Sequence, residues 1–214
     1  MYQAIESIYE AFANYRKPRD FPACECCISI GEKKLLLDRK LRMLTSDELG
    51  NYAADVFLTV GSLADFKYFL PRMMELSVKE EFSWPTPEVM LGKLKLADWY
   101  DWPEIERAPV LSLLEEKFAR LLQDANTEGE DIDQWICALG RCVTDITPYL
   151  EPLLQEEHES KLLGVIEWND SLFDKGKLSS AFWKDAPDNE RRAVAWLTQP
   201  RVKQLLNEKY GMVF

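Results

Sequence analysis

The stretch that decides the fold is TSDELGNYAADVFLTVGSLADFKYFLPRM, residues 45–73. Thr45 and Glu48 have the spacing of a capping box, in which each side chain accepts a hydrogen bond from the other residue's backbone N–H at the first turn of a helix. Ser62 and Asp65 repeat that spacing. After each start, apolar residues recur every three or four positions, which is the period of a helix with one buried face. The stretch therefore predicts two consecutive amphipathic helices.

The same signals extend in both directions along the chain. Residues 2–14 have the helical period, whereas residues 15–34 contain two prolines and no such period, so we expect an irregular connection there. Residues 124–131 are polar and predict a loop. Capping residues followed by proline or an acidic residue predict further helix starts. These starts lie at Thr86, Asp101, Thr147, Asp185 and Pro200, with another amphipathic helix at Ile132 and the Thr147 helix extending to about Ile166.

Composition also favours an all-α fold. Leu, Glu, Lys, Ala and Arg dominate, only 9 glycines are present, and no alternating run of Val, Ile and Thr indicates a sheet. The length of 214 residues suits one domain, so we expect residues 1–214 to form a single helical domain. Short intervals between helix starts favour antiparallel helix pairs in a HEAT-like irregular array, with a compact helical bundle as the alternative.

Charge is distributed unevenly along the chain, whose net charge is −11. Residues 71–160 hold 8 basic and 20 acidic residues. This acidic middle third disfavours nucleic-acid binding, because it repels phosphates. It suits either solubility or the attraction of a basic protein partner.

The expected location is the cytoplasm, with no membrane association. No stretch approaches the roughly 20 apolar residues that a membrane-spanning helix needs. The first residues lack the basic region of a signal peptide. Five cysteines, an odd number, suit free thiols in a reducing compartment better than a disulfide framework.

Catalytic motifs are absent from the sequence. The single histidine, His158, lies among glutamates, which is typical of an exposed helix face rather than of a catalytic base. The sequence also has no Gly-rich phosphate loop, no H-E-x-x-H and no G-x-S-x-G. We therefore expect no catalytic residue and a protein that is not an enzyme.

Three of the five cysteines, Cys24, Cys26 and Cys27, lie within four residues. Zinc commonly takes four ligands from two C-x₂₋₄-C pairs. C-x-C-C is not a standard pair of this kind, and Cys137 and Cys142 lie five positions apart. We predict no cofactor and no bound metal, with the first three cysteines as free thiols and the last two in the core. A metal site at the first three is the alternative.

A cluster of aromatic and acidic residues forms a candidate partner-binding segment. Tyr and Trp beside acidic groups are typical of a surface that binds a basic protein. Core packing of the tryptophans is the alternative, because an aromatic residue near a helix start commonly packs against that helix. The five candidate residues are Asp98, Trp99, Tyr100, Asp101 and Trp102.

Several short segments occur together in a recognisable combination. They include C-E-C-C at 24–27, D-F-K-Y-F-L-P-R at 65–72 and W-Y-D-W-P-E at 99–104. With them, the chain resembles an uncharacterised group of small helical bacterial cytosolic proteins. Members of that group have a proline between the cysteines, where this chain has Glu25. The resemblance implies a bacterial origin and a helical cytosolic fold, and it implies no activity.

These observations lead to two hypotheses about function. The first is a non-enzymatic protein-binding protein, specifically a bacterial immunity protein that neutralises a cognate basic toxin by binding it. Such a protein needs a complementary surface and no catalytic residue. The alternative is a metal- or thiol-dependent protein built around Cys24, Cys26 and Cys27. The oligomeric state is not indicated by the sequence.

Overall fold

The computed structural model describes residues 1–213, and these residues form an all-α protein, which confirms the predicted fold class. Over this range, β-structure is limited to isolated bridges that join Ala23 and Val56 to Val60. None of the helices described has both the length and the apolar character needed to cross a bilayer.

The α-helices alternate with short 3-10 helices. The α-helices are α1 Tyr2–Ala11, α2 Ile30–Asp38, α3 Ser46–Asp55, α4 Leu63–Val78, α5 Pro87–Leu96, α6 Glu104–Gln123, α7 Gly129–Cys142, α8 Thr147–Leu150, α9 Glu159–Trp168, α10 Leu172–Lys175, α11 Pro187–Leu197 and α12 Pro200–Tyr210. The 3-10 helices are Leu41–Met43, Trp99–Asp101, Glu151–Leu154, Glu156–His158 and Ala181–Asp185.

Both predicted capping boxes of the deciding stretch are present. The backbone N–H of Glu48 donates to the hydroxyl of Thr45 over 3.3 Å, and the backbone N–H of Thr45 donates to the carboxylate of Glu48 over 3.0 Å. Ser62 and Asp65 make the same pair of bonds at the start of α4. The starts predicted near Thr86, Asp101, Asp185 and Pro200 are confirmed by the first residues of α5, α6, α11 and α12.

Two sequence predictions about helix extent are wrong. Residues 15–34 are not irregular throughout, because Ser29 and Glu32 form a third capping box that starts α2. The helix predicted from Thr147 to about Ile166 ends at Leu150. Pro152 has no backbone N–H to continue the α-helical ladder, and 3-10 turns follow until α9 begins.

Internal contacts divide the chain into two units, Met1–Lys117 and the residues from Phe118 onward, with the boundary inside α6. In the first unit, α4 packs against α1, α3 and α5, and 12 of its 16 residues are buried. In the second unit, α7 packs along α9 and against α11. The single domain expected for residues 1–214 stays a prediction.

Candidate functional site

Two of the five residues of the predicted partner-binding segment lie in the core. Trp99 is 1% exposed and Trp102 is 6% exposed. The indole of Trp102 donates a hydrogen bond to the carbonyl oxygen of Ala97 over 3.0 Å, and the ring of Phe12 meets it edge-on. This burial fits the core-packing alternative for both tryptophans, so neither is available as an apolar contact for a partner.

The other three residues of the segment, Asp98, Tyr100 and Asp101, face solvent. The two buried tryptophans, Trp99 and Trp102, lie among them in the sequence and hold the backbone of the short 3-10 helix Trp99–Asp101. The guanidinium of Arg107 donates to the carbonyl oxygen of Tyr100 over 2.8 Å, which joins the 3-10 helix to the first turns of α6. The exposed side chains therefore project from a backbone that the core positions.

Two exposed apolar residues flank this segment and extend it into a larger surface. Leu96, at the end of α5, is 51% exposed, and Ile105, in the first turn of α6, is 73% exposed. Sequence reasoning missed both, although each falls outside the buried stripe of its helix. The enlarged surface, called the 96–105 surface below, comprises Leu96, Asp98, Tyr100, Asp101, Glu104 and Ile105.

The 96–105 surface alternates apolar and acidic side chains. Tyr100 is 39% exposed, so three large apolar side chains reach solvent within ten residues. Exposed carboxylates of Asp98, Asp101 and Glu104 lie between them in the sequence, and that of Glu104 pairs with the guanidinium of Arg107. A partner with basic groups around an apolar centre would complement these apolar side chains and the carboxylates beside them.

The three N-terminal cysteines form a second candidate site. The Sγ atoms of Cys24, Cys26 and Cys27 all lie within 4.8 Å of one another, and those of Cys26 and Cys27 are 3.7 Å apart. The backbone N–H groups of Cys27 and Ile28 both donate to the carbonyl oxygen of Cys24, each over 3.0 Å. This tight turn, residues 24–27, brings all three thiols to one place, and it is called the thiol turn below.

Hydrogen bonds from the loop between α3 and α4 hold the thiol turn. The backbone N–H of Cys24 donates to the carbonyl oxygen of Thr59 over 3.1 Å, and that of Gly61 donates to Pro22 over 2.7 Å. The hydroxyl of Thr59 donates to Sγ of Cys27 over 3.0 Å. The turn is therefore fixed by both backbone and side-chain contacts, and one sulfur already receives a hydrogen bond.

The hydrogen bonds between the thiols separate their acidities. The hydrogen bond with the Cys26 thiol lowers the pKa of Cys24 below its ordinary value. The hydrogen bonds with the thiols of Cys24 and Cys27 raise the pKa of Cys26 to about 11. Cys24 therefore loses its proton at a lower pH than Cys26.

A cavity of about 680 Å³ lies beside the thiol turn, and Glu25 of the turn lines it. Four basic residues, Lys17, Arg19, Lys33 and Lys34, also line this cavity. Asp38 lines it as well, so four basic and two acidic residues give a net positive lining in a protein of net charge −11. Lys33 pairs with Asp20 over 2.6 Å, and Lys17 donates a hydrogen bond to the backbone carbonyl oxygen of Arg39. Sequence reasoning did not find this cavity, because its lining comes from both ends of an apparently irregular stretch.

The remaining candidate residues are buried. His158 is 6% exposed, and its Nδ1 lies 3.0 Å from the carbonyl oxygen of Pro152, so the exposed position expected from its glutamate neighbours is wrong. The 3-10 turns before α9 direct this ring inward. Cys137 and Cys142 are buried, as expected, and burial raises the pKa of Cys142 to about 12.

Comparison of the chain with known protein families, curated proteins and solved structures finds no match. Membership of the bacterial group that the sequence resembles therefore stays a prediction.

Proposed function

We propose that the protein is a non-enzymatic protein-binding protein that binds a basic partner through the 96–105 surface. More specifically, we propose that it is a bacterial immunity protein that acts in the cytoplasm and neutralises a cognate toxin by direct binding. The observation that carries it is the exposure of Leu96, Tyr100 and Ile105 next to three carboxylates.

The apolar side chains supply the affinity in this proposal. Burial of apolar surface contributes about 25 cal/mol per Å², and a few well-buried side chains dominate most protein interfaces. Tyr is among the residues enriched at such positions. Leu96, Tyr100 and Ile105 are therefore the residues expected to be buried when the partner binds.

The carboxylates supply the partner preference and the rate of association. Residues 71–160, which include the 96–105 surface, hold 8 basic and 20 acidic residues. A field of one sign raises the rate at which an oppositely charged partner meets the surface, and salt screens this effect. A basic toxin fits both the charge and the immunity role.

The buried tryptophans contribute indirectly by fixing the backbone of the surface. Because Trp99 and Trp102 are packed in the core, the chain between them need not become ordered on binding. Preorganisation of this kind reduces the entropic cost of association. In this proposal the tryptophans have a structural role, and their exposed neighbours make the contacts with the partner.

The experiment uses the product of the reading frame adjacent to this gene as the binding partner. The two full chains are mixed after separate purification, and binding is measured by calorimetry. The same pair is co-expressed, and growth is compared with expression of the neighbouring product alone. We expect a 1:1 complex and restored growth. Absence of both binding and rescue would reject the immunity role, whereas binding without rescue would retain the binding function and reject neutralisation.

A further inference from the structure

We propose that Cys24, Cys26 and Cys27 bind one soft monovalent metal ion, of which Cu(I) is the representative, through three sulfur ligands. This inference replaces the expectation of no bound metal that the spacing of the cysteines suggested. It is independent of the protein-binding function, because the thiol turn and the 96–105 surface share no residue.

The distances between the sulfur atoms fit a three-coordinate ion. A metal–sulfur bond of about 2.3 Å places three sulfurs in a trigonal plane about 4 Å apart. In the thiol turn, one pair is 3.7 Å apart and all three pairs are within 4.8 Å. The three sulfurs therefore lie close to the separations that a trigonal site requires.

The number and type of ligands select the kind of metal. Within residues 1–213, the cluster consists of three thiols, and no imidazole or carboxylate completes it. A structural zinc site takes four ligands in a tetrahedron. Thiolates are soft ligands that select Cu(I) among other thiophilic metals, and a soft monovalent ion is satisfied by three of them.

The surroundings of the turn support a metal–thiolate complex. The hydroxyl of Thr59 donates to Sγ of Cys27, which is the kind of outer hydrogen bond that orients a ligand. Backbone bonds to Thr59 and Gly61 hold the turn in place before any ion binds. Outer contacts of this kind reduce the reorganisation that binding requires.

The net charge of the adjacent cavity is opposite in sign to the charge that the complex would carry. Three thiolates with one monovalent cation carry a net charge of −2, and one proton leaves each thiol as the ion binds. Four basic residues, Lys17, Arg19, Lys33 and Lys34, and two acidic residues, Glu25 and Asp38, line the cavity beside the turn. Residues 15–40 hold seven basic and four acidic residues, the opposite of the overall charge of the chain.

The test is a titration of the reduced full-length chain with Cu(I) under anaerobic conditions, in competition with a chromophoric chelator. We expect uptake of one ion per chain and an X-ray absorption spectrum with a shell of three sulfurs. Failure to compete with the chelator would overturn the proposal, as would a shell that contains nitrogen or oxygen. Preferred binding of Zn²⁺ over Cu(I) at equal concentrations would also overturn it, because the proposal commits the site to a soft monovalent ion.

Variants locate the site on the thiol turn. Cys24→Ser and Cys27→Ser should each weaken binding by more than about 100-fold, beyond the range of an outer-contact change, and Thr59→Val by about 10-fold. Cys24 is exposed and Cys27 half-buried, so thermal unfolding should show that both variants remain folded. Cys137→Ala is the control and should keep the affinity of the unmodified chain. Unchanged affinity in folded Cys24→Ser would place the ion elsewhere and reject the proposal.

Discussion

Gly129 and Gly164 lie backbone against backbone where α7 starts beside α9. A Cβ atom on Gly129 would lie 2.2 Å from the carbonyl carbon of Gly164, and one on Gly164 would lie 2.8 Å from Cα of Gly129. These distances are shorter than any real Cβ contact, and the atoms on the other side belong to a helix backbone that cannot rotate away. The close packing of α7 on α9 in the second unit therefore requires glycine at both positions.

The first prediction concerns Gly129→Ala. The new methyl group overlaps the backbone of Gly164. The free energy of unfolding should therefore fall by at least about 1–3 kcal/mol, the usual cost of overpacking a core. Urea unfolding followed by circular dichroism measures this loss. The control is Gly31→Ala in α2, where the nearest atom would be 3.9 Å away. The free energy of unfolding of this control should rise by up to about 1 kcal/mol, because alanine has a higher helix propensity than glycine. Equal stability of the two variants would contradict the packing described here.

Local signals in the sequence were enough to predict most helix starts. The capping boxes at Thr45 and Ser62 depend on residues three positions apart, so a short window contains all the information. The capping box at Ser29 has the same form and was missed because two prolines precede it. The break at Pro152 is also local, but a helical period on both sides concealed it.

The candidate sites depend on contacts that no local pattern contains. Trp102 packs against Phe12 and Phe66, which are far away in the sequence. The convergence of the thiols depends on the turn that Thr59 holds. Sequence reasoning could name these residues, but it could not decide which of them face solvent.

The second prediction concerns Glu75, which accepts hydrogen bonds from Tyr9 and Lys79 and pairs with Arg72, each over 2.7 Å. Burial alone would raise the pKa of Glu75, but these three partners together lower it to about 2, from an ordinary 4.5. A carboxyl group with a lowered folded-state pKa stabilises the fold above about pH 4.5, and that contribution is lost as the pH falls towards 2.

Glu75→Gln should therefore destabilise the protein at pH 7 by about 1.5–3 kcal/mol, the usual range for hydrogen bonds to a charged group. The difference from the unmodified chain should shrink as the pH falls from 4.5 to 2. Urea unfolding at a series of pH values measures both effects, with exposed Glu10→Gln as the control. A difference that does not change with pH would show that the carboxylate charge is not what stabilises this site.

The third prediction separates the structural aromatic residues from the exposed one. Trp99→Ala should lower the free energy of unfolding by about 3–5 kcal/mol, because it removes a large buried side chain. Tyr100→Ala should lower it less, by about 0.5–1.5 kcal/mol, because Tyr100 is 39% exposed and its ring contacts that of Trp99, with 4.8 Å between the centroids. Thermal and urea unfolding of the two variants provide the comparison. A large loss in Tyr100→Ala would mean that Tyr100 is a core residue and unavailable to a partner.

The fourth prediction concerns the carboxylates of the 96–105 surface. Asp98→Lys combined with Asp101→Lys should slow association with the adjacent-gene product and flatten the dependence of its rate on salt. Stopped-flow measurements at several salt concentrations give the rates. The control is Asp170→Lys with Asp174→Lys, which changes the net charge equally at exposed positions outside the surface. If both double variants slow association equally, net charge rather than this surface guides the partner.

The most direct test of the protein-binding proposal is the dissociation constant of the adjacent-gene product for two matched isoleucine variants. Ile105→Asp lies in the 96–105 surface, and Ile30→Asp makes the same change at a residue of nearly equal exposure, 71% against 73%. We predict that Ile105→Asp, once shown to be folded, weakens binding by at least 2 kcal/mol, roughly the threshold of an energetically dominant contact, and that Ile30→Asp leaves it unchanged. Equal affinity of both variants and the unmodified chain would contradict the account.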